Sequence, residues 1–485
     1  MKTKILFLII VVLCPLFIYA QWQNDVRLTN NTAVSKFSYN NAWCLAVSGS
    51  YIHVVWMDNR DGNYEIYYKR STDEGVTWGA DTRMTNNTGT SGYPSIAVSG
   101  SIVHLVWFDN IDLNEEIYYK RSTDGGANWG TDTRLTNNNE WSEVPSVTAI
   151  GSLVQVVWVD NRNGNPEIYH KRSTDNGVSW GADLRLTINT GASWYPCVSG
   201  SGSYVHLVWQ DDRDGNTEIY YKRSTDGGGS WSADTRLTTN SSDSEFPSVS
   251  VSGSAVHVVW VDLRDGNREI YYKRSADNGE NWGADTRFTN NTATSRFPTA
   301  TASGSLVHVV WEDNRDANYE IYYKRSTDSG ISWSTDTRLT NLAGTSYHPY
   351  VAVSGTIVHV VWYDGRDNND EIYYKRNPTG NVVDVNNIGN EIPDSYKLYQ
   401  NYPNPFNPVT KIRFTLREEG KGKKEETRLI IYDILGKEVH TLVNEQLSPG
   451  MYEVTFDGAD FPSGIYFYQL RTENFIETKK LVLLK

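Results

Sequence analysis

The stretch Ser95-Ile96-Ala97-Val98-Ser99-Gly100-Ser101-Ile102-Val103-His104-Leu105-Val106-Trp107-Phe108 decides the fold. A short run of small and β-branched residues stops at Gly100-Ser101, and a second run follows with apolar side chains on both faces. A polar turn then leads to Glu116-Ile117-Tyr118-Tyr119-Lys120-Arg121, a further turn holds Ser122 to Trp129, and Asp132-Thr133-Arg134-Leu135-Thr136 closes the unit. β-Branched and aromatic runs broken by Gly, Asn and Asp predict four antiparallel strands. No 3.6-residue periodicity is present, which excludes a helical solenoid.

Working outward, the unit repeats. Trp56, Trp107, Trp158, Trp209, Trp260, Trp311 and Trp362 stand 51 residues apart throughout. Such constancy means one supersecondary unit copied seven times, and four strands per copy predict an all-β, seven-bladed β-propeller. The blades are numbered here by these tryptophans. The seventh copy stops after Tyr373-Tyr374-Lys375-Arg376, and its missing piece lies at the other end of the chain. Trp22 and Asp25-Val26-Arg27-Leu28-Thr29-Asn30-Asn31 align with Trp129 and Asp132 to Asn138. The N-terminal strand should therefore complete blade seven and close the ring, hiding sheet edges that template aggregation.

Composition agrees with this picture. Seventeen Trp and 31 Tyr against four Met suit many short, half-buried strands. The formal net charge of −13 would repel a phosphate backbone, so nucleic acid is excluded as a partner. Lys2 and Lys4 precede an apolar run from Ile5 to Phe17 and then Ile18-Tyr19-Ala20, which reads as a signal peptide over 1–20. That run is too short to span a bilayer comfortably, and no other stretch is a transmembrane candidate. The expected order is a signal peptide, the propeller over 21–378, a linker over 379–395 and a second domain over 396–485. A monomer is expected. Cys44 and Cys197 share one register three blades apart, facing each other across the central channel beyond the ~7 Å a disulfide tolerates. Two free thiols are expected.

The turn Ser71-Thr72-Asp73-Glu74-Gly75-Val76-Thr77-Trp78 recurs at 122–129, 173–180, 224–231, 275–282 and 326–333. It resembles the Asp-box, or bacterial neuraminidase repeat, family: Ser-x-Asp-x-Gly-x-x-Trp. Asp73, Asp124, Asp175, Asp226, Asp277 and Asp328 can accept the turn's backbone N–H groups, Gly permits positive φ, and Trp pins the turn. The resemblance implies that these turns are structural and lie opposite the functional face. Sialidases are the best-known members. Their Arg-Ile-Pro signature is absent here, and they resemble six-bladed rings, so no catalytic residue is carried over. No metal or cofactor is implied.

The opposite rim carries Asp58, Asp109, Asp160, Asp211, Asp262, Asp313 and Asp364, each followed by a conserved-in-register Glu such as Glu65. Arg holds the third position in six copies, with Ile111 the exception. The pattern predicts an Asp–Arg–Glu clasp around a type I′ turn at Asp61-Gly62. A carboxylate ring for Ca²⁺ is the weaker reading, because Arg repels the cation. His53, His104, His206, His257, His308 and His359 form a second ring, read as strand packing rather than metal ligation.

The loops entering the first strands vary most, and they carry rings. Tyr39, Trp43, Tyr93, Trp141, Trp194, Tyr195, Phe246, Phe297 and Tyr347 are the candidate ligand-binding residues, with Phe37 and Tyr350 beside them. Such rings suit stacking on sugars or gripping a protein. Glycoside hydrolysis needs two acids in different environments, whereas seven similar sectors supply similar ones. The sequence thus favours a non-catalytic module for glycan or protein. A sialidase-like glycoside hydrolase and a structural surface scaffold are the alternatives.

Beyond about Asn390 the rhythm ends. Tyr399-Gln400-Asn401-Tyr402-Pro403-Asn404-Pro405-Phe406-Asn407-Pro408, Ile431-Tyr432-Asp433-Ile434-Leu435-Gly436-Lys437, Pro462-Ser463-Gly464-Ile465-Tyr466-Phe467 and the terminal Lys479-Lys480-Leu481-Val482-Leu483-Leu484-Lys485 follow. This segment resembles the type A sorting domain of the type IX secretion system. Alternating strands and Gly turns predict a small β-sandwich with a solvated hairpin loop from Arg417 to Arg428. The resemblance implies type IX secretion machinery as a partner and a secreted or cell-surface destination.

Overall fold

The computed structural model describes residues 22–38, 43–111, 114–378, 386–387, 393–418, 425–458 and 461–484. The expected signal peptide and Tyr39 lie outside them. The chain divides into two compact units, Asn24–Val382 and a second one containing Val383–Lys485. Among the described residues no helix is long and apolar enough to cross a membrane.

The first unit is a seven-bladed propeller. Blade two shows the plan: Ser91–Ser99, Ile102–Asp109, Glu116–Ser122 and Thr133–Arg134 form one antiparallel sheet. Blades three to six repeat that order. In blade one both Ser35–Lys36 and Leu45–Ser48 pair with Tyr51–Asp58. In blade seven the outer strand is Val26–Arg27, which pairs with Tyr373 and Tyr374 from the far end of the domain. The ring closes as the repeat count required.

The core lies where the pattern put it. The seven repeat tryptophans are fully buried. Each stacks on the Tyr opposite it in the third strand, as Trp107 does on Tyr118 at 6.0 Å. Its indole N–H would be an unsatisfied buried donor, and it is taken by the Asp two residues on, at 2.9 Å for Trp158 to Asp160.

The innermost strands differ from expectation. They begin four residues early, at Ser91 rather than Ser95 in blade two, and carry a bulge between Gly92 and Ser95. The rim aromatics therefore belong to a bulged strand and not to entering loops. Pro at the following position removes a ladder donor, which is why pairing breaks there. The expected type I′ turn is also corrected. Six residues separate Asp58 from Glu65, with Gly62 at φ 106° and its N–H bonded to the Asn59 carbonyl.

The second unit contains two four-stranded antiparallel sheets. One holds Asn386–Asn387, Lys397–Leu398, Val409–Leu416 and Gly450–Asp457; the other holds Glu425–Tyr432, Glu438–Leu447, Gly464–Arg471 and Ile476–Leu483. Their buried side chains, among them Phe414, Leu429, Val454, Tyr468 and Leu481, form one core. Two boundaries move. Asn386–Asn387, expected in the linker, is a strand of the sandwich, and Glu425 to Arg428, expected in a loop, pair with Asn444 to Leu447.

Candidate functional site

Antiparallel order puts the Asp-box turns at one end of the blades and the Asp–Glu turns, with the bulges, at the other. At the Asp-box end Ser122 Oγ donates to Asp124 Oδ1 at 2.7 Å and accepts the Gly126 N–H at 2.9 Å. Asp124 Oδ1 also takes the backbone N–H groups of Ala127 and Asn128. Those backbone donors hold Asp124 well below the usual carboxylate range. Trp129 meets the edge of Tyr68 in the preceding blade at 5.0 Å, and the same contact recurs between Trp180 and Tyr119 at 4.9 Å. Tyr68 Oη bonds His53 Nδ1 at 2.7 Å. Burial keeps His53 far below its ordinary value, at about 3. Blade three makes a matched exchange: Gln155 replaces the His, His170 replaces the Tyr, and the two bond at 2.7 Å. These histidines hold strands together and blades to their neighbours.

At the other end the expected Asp–Arg–Glu clasp proves to be two interlocked ion pairs. Arg162 grips Asp160 with Nε at 2.8 Å and Nη2 at 2.5 Å, and reaches Asp183 at 2.8 Å. Burial opposes ionisation of Asp160, but Arg162 and Trp158 outweigh it and its pKa falls. The buried Glu167 is claimed by a different residue, Arg185 of the fourth strand, at 2.9 Å, with Asn165 at 3.1 Å. The sequence reading missed Arg185 and Asp183 because they lie about twenty residues downstream and meet the turn only once the outer strand pairs. Guanidinium groups pair with all seven Glu residues of the ring and with six of the seven Asp residues, Asp109 being held by Asn87 and Ser91 instead, and among the described residues no carboxylate cluster suited to a metal ion is present.

The bulge carries the variation. Tyr93, Val144, Tyr195, Phe246, Phe297 and His348 occupy one position of six successive blades, all with φ between 46° and 55°. A left-handed conformation costs a non-glycine residue about 1–2 kcal/mol, and it is repeated here six times. Tyr93, Phe246 and His348 each turn their backbone N–H onto a side chain of the preceding blade. The Phe246 N–H bonds Gln210 at 3.0 Å and the His348 N–H bonds Glu312 at 2.7 Å. Their rings consequently meet in series: Tyr195 to Phe246 at 5.0 Å, Phe246 to Phe297 at 4.7 Å, and Phe297 to His348 at 3.9 Å. Trp141 and Trp194 extend the series, stacked at 5.5 Å and 17°. The result is an aromatic collar running from blade three to blade seven.

The candidate residues divide accordingly. Trp141, Trp194, Tyr195, Phe246, Phe297 and Tyr347 come together in the collar, half-buried against one another rather than exposed. Tyr93 packs on Phe108 at 5.4 Å. Trp43 departs: it lines the central channel, a cavity of about 200 Å³, and hydrogen-bonds Cys197 three blades away. Phe37 and Tyr350 are core, edge to face at 5.3 Å. The thiols are not in a disulfide, but they also do not simply face one another. Cys44 donates to the Pro94 carbonyl of the neighbouring blade at 3.3 Å. Burial pushes both thiols up to about 11.

Charged residues on the collar were missed by sequence reasoning. Glu143, beside Trp141, is pushed up to about 7 by burial and by the neighbouring Glu115 charge. Burial raises Glu115 as well. Glu312 is fully buried, bonded to Arg296 at 2.5 Å, and still raised to about 7 by burial. A signal existed. The residue after each repeat tryptophan reads Met57, Phe108, Val159, Gln210, Val261, Glu312 and Tyr363, so one acid stands alone in an otherwise uncharged series. The rim is therefore chemically uneven although the blades are not.

Fold and turns define the class: a seven-bladed β-propeller with Asp-box turns, followed by a small β-sandwich. Residues 400–484 match the secretion system C-terminal sorting domain family, so the chain is exported by type IX secretion to the cell surface or beyond. A sialidase of Bacteroides fragilis is 23% identical over 290 residues, which is 47% of this chain and 50% of that protein. The chain thus spans about half the length of the curated relative it matches. Among solved structures, the polysaccharide lyase Uly1 superposes with a TM-score of 0.53 at 10% identity, covering 74% of this chain and 100% of that one. A Trypanosoma rangeli sialidase covers 94% of this chain and 88% of its own with a TM-score of 0.45 at 11% identity.

Proposed function

We propose that this secreted propeller is a glycan-binding module whose ligand lies across the aromatic collar of blades three to five. One observation carries the reading. The stacked Trp141–Trp194 pair is bordered by Glu115 and Glu143, two half-buried carboxylates that no protein donor bonds among the described residues. Flat rings offer sugar faces an apolar platform, and open carboxylates accept sugar hydroxyls. The guanidinium–carboxylate clasps of blades three to five keep the platform rigid, which lowers the ordering cost of binding.

Glycan array screening of the secreted protein tests this. Binding to a defined set of oligosaccharides, lost in Trp194→Ala, supports it; no binding to any glycan would favour a protein ligand or a scaffold role instead. A second reading has its own support in Glu143. Its pKa, raised by burial and by Glu115 and set beside Tyr195, is the kind of environment that suits a general acid. Turnover of a fluorogenic sialoside or another aryl glycoside, abolished by Glu143→Gln, would make the protein a hydrolase.

A further inference from the structure

We propose that Asn163 is a site of self-modification, at which the folded protein deamidates and gains the carboxylate that the same turn of the other blades already carries. The turns between second and third strands read Asp61, Asp112, Asn163, Asp214, Asp265, Asp316 and Asp367 at this position. The lone Asn is followed by Gly164. Both are exposed at the tip joining Leu153–Asp160 to Glu167–Ser173, and Gly164 has φ 92°. The Gly164 N–H bonds the Asn161 carbonyl at 2.9 Å, a contact that water can replace at an exposed tip. Lacking a Cβ, Gly164 leaves its nitrogen an uncrowded approach to the side-chain carbonyl of Asn163. That nitrogen, on losing its proton, bonds to the carbonyl carbon; the bond from that carbon to Nδ2 breaks and ammonia leaves. Water then opens the imide ring, adding one oxygen, to give aspartate or its iso-aspartyl isomer. Only water is consumed.

The surroundings of Asn163 are those built for an acid. In five blades the third-strand tyrosine donates its hydroxyl to this Asp, as Tyr67 does to Asp61 and Tyr220 to Asp214. The fourth-strand arginine pairs with the same Asp, at 3.1 Å for Arg236 to Asp214 and 3.4 Å for Arg27 to Asp367, and likewise in the other three. In blade three Asn163 donates to the Tyr169 hydroxyl instead. Arg185 spends Nε on the Thr187 carbonyl and Nη2 on Glu167, each at 2.9 Å, and among the described residues no protein acceptor takes Nη1. A carboxylate at this position supplies that acceptor and reverses the bond with Tyr169, completing the pairing of the other blades. Two further Asn-Gly pairs, Asn176-Gly177 and Asn278-Gly279, lie in Asp-box turns. There each Gly is buried under a tyrosine hydroxyl, of Tyr119 or Tyr221. Its N–H is held by a serine, at 2.8 Å for Gly177 to Ser173 and 2.9 Å for Gly279 to Ser275. The fold shields these two pairs and exposes the third.

The test incubates the whole secreted protein at pH 8 and 37 °C in water enriched in oxygen-18, until a control unfolded in urea has converted, and maps the peptides by mass spectrometry. The Asn163 peptide should gain a single heavy oxygen several times faster than the peptides of Asn176 and Asn278, while a form with one added negative charge grows in ion exchange at the same rate. Gly164→Ala should slow the conversion about tenfold, and the fold accepts it, since Ala317 holds the equivalent place in blade six at φ 82°. Asn163→Asp should co-elute with the aged protein and melt about 1–2 °C above fresh wild type, and Arg185→Gln should erase that gain. The proposal is overturned by an Asn163 still amidated when the unfolded control has converted, by equal rates at the three pairs, by a rate unmoved in Gly164→Ala, or by Asn163→Asp melting below wild type.

Discussion

Replacing Gly177 by Ala would test how the blades are held to one another. Gly177 sits in the Asp-box turn of blade three at φ 76°, and a Cβ added there would lie 2.7 Å from Tyr119 Cζ, with the hydroxyl oxygen closer still. Tyr119 cannot swing away. It is buried at 2% exposure, its hydroxyl bonds His104 at 2.8 Å, and Trp180 meets its ring at 4.9 Å. The left-handed backbone costs alanine about 1–2 kcal/mol, overpacking a well-filled site about 1–3, and a broken buried hydrogen bond about 1. The expected loss is about 3–6 kcal/mol. Gly151 supplies the control, with φ 58° and nothing within 4 Å of its would-be Cβ, so Gly151→Ala should lose only the backbone portion, about 1–2 kcal/mol. Urea unfolding followed by tryptophan fluorescence and circular dichroism gives both values. Tyr119→Phe removes the nearest atom, so the Gly177→Ala/Tyr119→Phe double variant should be more stable than the two losses added together. Equal losses at Gly177 and Gly151, or strict additivity in the cycle, would refute the packing argument.

The remaining expectations concern charge, thiols and export. Glu143 titrates near 7 when folded, so its contribution to stability is complete below the unfolded value near 4.3 and is lost as pH rises through 7. Glu143→Gln should match wild type at pH 4 and exceed it by about 1–2 kcal/mol at pH 8, discounted for partial exposure, as thermal melts across that range would show. Cys44 and Cys197, both buried with raised pKa, should resist Ellman's reagent at pH 8 and release two equivalents only in denaturant, with no reductant needed; a zero yield would mean a disulfide. A chain ending near Val383 should keep the propeller's circular dichroism yet remain in the periplasm, and its appearance in the medium would remove the sorting role of the tail.

Sequence alone determined much of this protein, and periodicity is the reason. Seven tryptophans at a fixed interval, six Asp-boxes in phase and an N-terminal copy of the missing strand leave few ways to bury every Trp and pair every edge. Local turn chemistry was legible for the same reason: Ser122, Asp124 and Gly126 meet within five residues. What the tertiary structure decided lies wherever partners are distant in sequence. Glu167 belongs to Arg185 rather than to its near neighbour Arg162, since the outer strand folds back over the turn. The aromatic residues form one collar because a proline breaks each inner ladder, forces a bulge, and tips the residue before it towards the preceding blade. Trp43 leaves the rim for the channel, and Glu312 and Arg296 become a pair only across a strand register. A repeat fixes what is common to its copies; the chemistry that distinguishes them arises between blades, where only three-dimensional contact assigns neighbours.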